Sequence, residues 1–485
     1  MEVYCLWALL AVSAVVFWRT MPPSAEMKLL GLCVALASVE ALSMANQTPI
    51  SRGLCALGPA GLGLIALCSR AVVGVATGRQ DLPLGRVAAL GLVGFCGAGF
   101  LVAMGSVVGE EGSGSLWNIF FWERVCGLSL ISVTVAAVFF RQAREFDRLL
   151  WVVCSSALVT AACIYIGLPK ENQAIRAYQD NWWEDNGRLG GAALLAYWPS
   201  TPAGPLRLDI VMGAPELGEF ALIGLAGSIA YFLGHPRPAT RRTAGCFAAL
   251  LTCVIVLAQA RGAIIAAAAA ASLSATLTGL HSQSRSRAGV AKRIVTILGV
   301  LGILVVWVSV ERFRASEAGE SLRNRAAAMA KPDQDETFQG RIELWKYALD
   351  LGMSKPLGSG FFADFDPTGM RNPHNLYLWL LLGAGWIGAA AFFTALGSIC
   401  SILGAGLKRA PQELVVVNIA ALTVLAALAV AGLTSVLFGR VAHVTCFWLL
   451  VGAAVSINLK ARQRIAAIPP VARPVLASTG EASGH

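Results

Sequence analysis

CFAALLTCVIVLAQARGAIIAAAAAASLSATL, residues 246–277, contains a single charged side chain, Arg261. As one continuous helix it would extend roughly 50 Å, against ~30 Å of hydrocarbon in a bilayer. The run must therefore break, and Arg261-Gly262 is the place that combines a charge with a weak helix former. Two membrane-spanning helices joined by a tight hairpin is the reading this stretch imposes. The rest of the chain repeats the theme.

The 485 residues are 56% hydrophobic and 14% charged, with a mean hydropathy of +0.66. That balance excludes an ordinary soluble domain. Apolar runs of membrane length recur near 2–18, 28–45, 54–76, 86–108, 116–140, 149–168 and 212–233. Others lie near 243–259, 262–280, 292–310, 375–400, 412–433 and 437–458. About twelve or thirteen spans are expected, since 2–18 is short for a crossing. With Glu2 in place of a basic cluster, 2–18 does not read as a cleaved signal peptide.

The fold class expected is all-α: a polytopic transmembrane bundle with two long polar loops. Its parts are N-terminal spans over 1–168, a first loop 169–211, central spans over 212–310, a large loop 311–374, C-terminal spans over 375–458 and a polar tail 459–485. In the tail, Pro469, Pro470 and Pro474 among small polar residues indicate disorder from about 466 onward. Net charge is +10, which in a soluble protein would suggest nucleic acid. Here the basic residues cluster in 141–148, 234–242, 281–293, 406–411 and 460–473. The positive-inside rule puts those segments and the C-terminus in the cytoplasm, and both long loops outside, in a periplasm. Nucleic acid is not an expected partner; membrane lipids are.

All twelve cysteines fall in apolar segments, so neither a disulfide framework nor a zinc spacing is present. No P-loop and no G-x-S-x-G occurs, and the acidic Asp333-Gln334-Asp335-Glu336 in KPDQDETFQG reads as a solvated turn. No metal site or cofactor is expected.

Of five histidines, His374 alone stands at a polar–apolar boundary among other polar side chains, in RNPHNLYLWLLLGAGWIG. With Asn372 as N-cap and Pro373 at the first helical position, His374 would lie in the first turn of a helix. There the helix dipole favours a neutral imidazole, which can accept a proton at neutral pH. The topology brings Arg261 to the same face. An arginine so closely flanked by apolar residues is a functional candidate suited to phosphate. Arg188 and Arg341 each follow a glycine in the outer loops, and Glu216 and Glu219 open a span where they can orient an arginine or meet a sugar hydroxyl. Asn375 and Tyr377 beside His374 are further substrate-contact candidates. Tyr178, Trp182, Trp183, Tyr197 and Trp198 can stack on sugar rings or form an interfacial belt. In FQGRIELWKYALDLG, Phe338, Ile342, Trp345 and Leu349 make one apolar stripe of a helix, with Arg341 off it. KPLGSGFF then reads as a turn.

These residues carry a resemblance. Gly340-Arg341, Trp345, the Pro356-Leu357 turn with Gly358 and Gly360, His374-Asn375, and Gly385 with Gly388 are similar to the pattern of the O-antigen ligase/polymerase family. Ala260-Arg261-Gly262 resembles the family's small-Arg-Gly hairpin, and Arg188-Leu189-Gly190 its Arg-x-Gly element. Members often carry Gly-Asn-Pro-Asn where this chain has Gly213-Ala214-Pro215-Glu216. The resemblance implies a glycosyltransferase C-like architecture and an enzyme at the outer face of the inner membrane. It implies transfer of a glycan from undecaprenyl diphosphate to lipid A–core (a ligase), to another repeat unit (a polymerase) or to Ser or Thr (a protein glycosylase). With it go the expectations that His374 is the general base, that Arg261 and Arg188 hold the diphosphate, that Arg341 joins them or positions the loop over His374, and that neither metal nor nucleotide is needed. A transporter of polyprenyl-linked glycan is the competing class, but it would gather its polar residues at the bilayer midplane.

Overall fold

The computed structural model describes residues 24–37, 39–43, 58–109, 118–119, 121–162, 193–195, 207–258, 260–281, 336–361, 373–408 and 410–466. Within them the helices are α1 (Ala25–Ala35), α2 (Gly58–Ala76), α3 (Arg86–Gly109), α4 (Leu128–Phe139, continuing a π-turn over Glu123–Gly127) and α5 (143–162). Then follow α6 (Ala214–Gly234), α7 (Pro238–Leu257), α8 (Arg261–His281), α9 (Glu336–Ser354), α10 (Leu376–Leu407), α11 (Gln412–Ala431) and α12 (Val441–Ala466). The body is an all-α bundle. Seven helices among the described residues are long and apolar enough to cross a membrane: α3, α6, α7, α8, α10, α11 and α12. The chain is a multi-pass membrane protein. Burial sorts the seven into layers. The α12 span is wholly enclosed and α6 nearly so, whereas α3, α7, α8 and α10 leave most of their apolar surface open. Leu90 at 71% and Leu101 at 72% exposure are at ease there only because lipid, not water, is the surrounding solvent.

Several expectations change. The run 28–45 is not a span: α1 ends at Ala35 and the chain turns into strand β1 (Val39–Ser43). With β2 (Ala193–Leu195) and β3 (Arg207–Gly213) it makes a small antiparallel sheet of order β1-β3-β2, in a region expected to be loop. Apolar Leu208, Ile210 and Met212 recur at every second position of RLDIVMG, a period-2 signal that the charged Arg207 and Asp209 set off. The expected helix over 149–168 begins earlier, at 143. The runs 2–18 and 292–310 and the tail from 467 lie outside the described residues.

The hairpin at residues 246–277 forms as expected: α7 stops at Leu257 and α8 starts at Arg261. Chain direction then decides where the charges lie. α6, α8, α10 and α12 all begin at one end of the bundle. The other end carries Arg237, bridged to Glu413 at 2.6 Å, and Lys460. The Lys460 ammonium donates to the carbonyls of Ala137 (2.9 Å), Val138 (3.1 Å) and Phe140 (2.8 Å), closing the open C-terminus of α4.

α10 is interrupted. Gly385 has φ 67° and ψ −176°, outside any helix. The turn after α9 plugs the gap. Ser359 and Gly360 amides donate to the Leu382 carbonyl at 2.7 and 3.2 Å, and the Trp386 amide donates to the Pro356 carbonyl at 2.9 Å. These bonds satisfy backbone groups that the kink frees, as a break in a lipid-embedded helix requires. Gly358 (φ +95°) and Gly360 (φ +96°) supply the left-handed turns. The glycine-rich motif is thus an interlock between α9 and α10.

Candidate active site

His374 lies immediately before the N-cap of α10. The helix begins later than the sequence suggests: Asn375, not Asn372, is the N-cap of α10, its Oδ1 accepting from the Tyr377 and Leu378 amides at 3.0 and 3.1 Å. His374 therefore precedes the helix, in a left-handed conformation with φ 49°. A non-glycine residue held there carries strain of the kind concentrated at functional sites. Three anchors hold it. Trp345 Nε1 donates to the Pro373 carbonyl at 2.9 Å. Asn375 Nδ2 donates to the Leu433 carbonyl at 3.1 Å. The Leu376 amide donates to the Gly432 carbonyl at 2.8 Å.

The face of α9 is rotated from its expected stripe. Trp345, Ala348 and Gly352 pack inward, while Leu349 and Met353 stand exposed. The reason is close approach: a Cβ on Gly352 would come within 2.9 Å of Leu381, and Trp386 Nε1 donates to the Gly352 carbonyl at 3.2 Å. This rotation carries Arg341, expected off the packed face, inward toward His374. Arg341 Nη1 donates to the Thr434 carbonyl at 3.4 Å.

The starts of α6, α8 and α12 close around the same point. Glu216, in the first turn of α6, pairs with Arg440 at 3.2 Å. His443 Nε2 donates to the Glu216 carbonyl at 2.9 Å. Glu219 is buried, 5% exposed, and hydrogen-bonded to Ser435. Gly218 lies where a Cβ would meet the Ala260 methyl at 2.5 Å, and Gly262 where one would meet Thr434 Oγ1 at 2.3 Å. The Arg261 backbone therefore begins α8 directly beside the segment that receives Arg341. Four helix N-termini converge, and their dipoles favour anions, although the first amides of α10 are already taken by Asn375 Oδ1 and the Gly432 carbonyl.

Burial, and after it the Arg341 charge, push the His374 imidazole from its ordinary 6.5 down to about 4, against an opposing pull from Glu216. The ring is neutral at pH 7 and able to accept a proton, but in this environment it is a weak base.

Of the residues singled out by sequence, His374, Arg341 and Glu216 come together, and Arg261 starts the helix next to them. Arg188 and the aromatic residues Tyr178, Trp182, Trp183, Tyr197 and Trp198 lie outside the described residues. Asn375 has both ends of its amide bonded to backbone. The Tyr377 hydroxyl donates to the Ala429 carbonyl and its ring stacks on Phe393. Their geometry is that of supports for the helix start. Sequence reasoning missed Arg440. It stands in LFGRVAH, an arginine directly after a glycine, which is the same local signal that marks Arg188 and Arg341.

Residues 246–393 match the Wzy_C family model, described as O-Antigen ligase. The matched segment takes in the α7–α8 hairpin, α9, the interlocking turn and His374, and it leaves Glu216 and Arg440 outside. It supports a glycan-transfer enzyme working in a membrane. No curated protein matches the chain. Among the described residues no three His, Cys, Asp or Glu side chains gather as a metal-holding group.

Trp345 tests the positioning. Trp345→Phe keeps the packing and removes the donor to Pro373. We expect kcat to fall roughly ten- to a hundredfold from the misplaced imidazole, with little change in Tm. An unchanged kcat would mean that this bond does not set the His374 geometry.

Proposed function

We propose that this protein is an O-antigen ligase: it transfers glycan from undecaprenyl diphosphate to a sugar hydroxyl of lipid A–core at the periplasmic face of the bacterial inner membrane. One observation carries the reading. The segment that matches the family contains the strained, neutral His374, the inward-turned Arg341 and the Arg261 hairpin, all at the end where four helix N-termini meet. The orientation follows from charge: Arg141, Arg237, Lys408 and Arg462 lie at the opposite end, which the positive-inside rule makes cytoplasmic.

In this mechanism His374 takes the proton of the acceptor hydroxyl as the oxygen attacks the anomeric carbon. The bond from that carbon to the diphosphate oxygen breaks, its electron pair leaves with undecaprenyl diphosphate, and the configuration inverts. Arg261, Arg188 and Arg341 hold the diphosphate and stabilise the charge that develops on it. Asn375 and Tyr377 shape the start of α10 beside the sugar, and Glu216 holds Arg440 and faces His374. The reaction requires neither metal nor nucleotide.

The diphosphate also adjusts the base. Its negative charge offsets the Arg341 field that depresses His374, so donor binding raises the imidazole pKa. The acid limb of kcat/KM, which reports the free enzyme, is expected near pH 4, and the acid limb of kcat at a higher pH, because the donor offsets the Arg341 field but not the burial. Activity is lost below each limb, where His374 is protonated. Limbs that coincide at subsaturating and saturating donor would contradict this coupling.

Arg261→Ala should weaken undecaprenyl diphosphate binding roughly ten- to a hundredfold, the worth of charged hydrogen bonds. Unchanged affinity would remove Arg261 from the diphosphate site.

The function itself is tested with purified protein in detergent, lipid-linked glycan, lipid A–core and EDTA, without nucleotide. A mobility shift of lipid A–core on a gel is expected. Lengthening of the lipid-linked glycan with unmodified lipid A–core would instead make the protein a polymerase.

A further inference from the structure

At the end of the bundle away from His374, the loop leading into α3 meets the last turns of α12 and leaves a cleft of about 410 Å³. Leu82, Leu84 and Leu459 form its apolar wall; Arg86, Arg462 and Gln463 supply its polar groups. Both arginines are placed by one neighbour. Arg462 Nη2 donates to the Ile402 carbonyl at 3.0 Å, and the left-handed Gly85 (φ +77°) before Arg86 lies where a Cβ would come within 3.0 Å of the Ile402 side chain. Arg86 opens α3, whose first turn contains no acid, so the free amides there add to the positive field. The charges around nearby Lys460 are Arg141 and Arg464 against Asp81 and Glu145. With Arg86, Arg462 and Lys460 itself, the region is net cationic.

The cleft also adjoins hydrocarbon. Leu82 is 42% exposed, and Val87, Leu90 and Val93 continue an exposed apolar stripe along α3. Two guanidinium groups above an apolar wall, at the membrane boundary, match one ligand chemistry. We propose that this cleft binds the phosphate headgroup of an anionic membrane phospholipid, with its acyl chains along Val87 and Leu90. A free phosphate would leave the leucine wall uncovered. A zwitterionic lipid would bring a cationic ammonium to the same two arginines. Basic pockets between membrane helices recognise anionic headgroups by this combination.

Native mass spectrometry of the full chain in detergent, titrated with phosphatidylglycerol, tests the proposal. Phosphatidylcholine is titrated in parallel, and inorganic phosphate is added as competitor. Phosphatidylglycerol should be retained in preference to phosphatidylcholine and should not be displaced by phosphate. The double variant Arg86→Gln/Arg462→Gln should lose affinity roughly ten- to thirtyfold, and Arg462→Gln alone about fivefold; the single change serves if the double variant does not fold. Arg86→Lys/Arg462→Lys should keep most of the binding. Equal retention of both lipids, displacement by inorganic phosphate, or unchanged affinity in the glutamine variants would each overturn it.

Discussion

His374→Ala is expected to lower turnover by ~10²–10⁴-fold, the range for loss of a general base, with donor affinity close to that of the intact protein. The separation follows from the geometry. The imidazole is neutral and makes no charge-based contact with a diphosphate, whereas Arg341 and the converging helix N-termini remain. Alanine brings one complication, because position 374 has φ 49°, a conformation that costs alanine roughly 1 kcal/mol or more. His374→Asn removes that ambiguity. Asparagine tolerates the left-handed region and cannot act as a base near neutral pH, so it should show the same loss of turnover with an unaltered backbone. Normal turnover in either purified variant would end the role of His374 as proton acceptor.

Gly385→Ala should be the most destabilising single change in the α9–α10 unit. At φ 67° and ψ −176° the backbone occupies a region essentially restricted to glycine, at a cost of about 1–3 kcal/mol for any other residue. A Cβ there would also lie 2.4 Å from the Leu357 carbonyl carbon, 2.5 Å from its oxygen and 2.7 Å from the Pro356 oxygen. Those atoms are backbone and cannot swing aside. The turn would have to withdraw, and its bonds to Leu382 and Trp386 would go with it. We expect Tm in detergent to fall by roughly 5–10 °C. Gly397→Ala is the control: it sits on the same helix with nothing within 4 Å of the added methyl, and its Tm should stay the same or rise slightly. Equal Tm values for the two variants would mean that the turn does not plug the kink as described.

Much of the bundle is legible because hydrocarbon thickness is a strict ruler. The Arg261-Gly262 break follows from length alone, and the seven long apolar helices coincide with runs that composition marks. The failures have local causes. Residues 28–45 are apolar enough to span, but hydropathy does not distinguish a helix from a helix followed by a strand. Asn372-Pro373 is a sound helix start, yet the helix waits until Asn375 because Trp345 holds the Pro373 carbonyl, a contact made 28 residues away in the chain. The stripe on α9 is displaced for a similar reason, since Gly352 permits an approach to Leu381 that apolar periodicity does not encode. In the site, His374, Arg341 and Glu216 could be selected by type and boundary position. Arg440 follows a glycine as Arg188 and Arg341 do, but its place in the site rests on a pairing with Glu216, 224 residues away in sequence.

In the proposed reaction the site makes a glycosidic bond as the bond between the sugar's anomeric carbon and undecaprenyl diphosphate breaks. The most direct measurement follows both in one reaction: wild-type protein in detergent, undecaprenyl diphosphate-linked glycan, lipid A–core, and quantification of freed undecaprenyl diphosphate alongside the new linkage and its anomeric configuration. The two products are expected to appear together, one for one, with the configuration inverted. A donor that stays intact in this mixture, and in sealed vesicles only passes from one leaflet to the other, would contradict this expectation and make the protein a transporter.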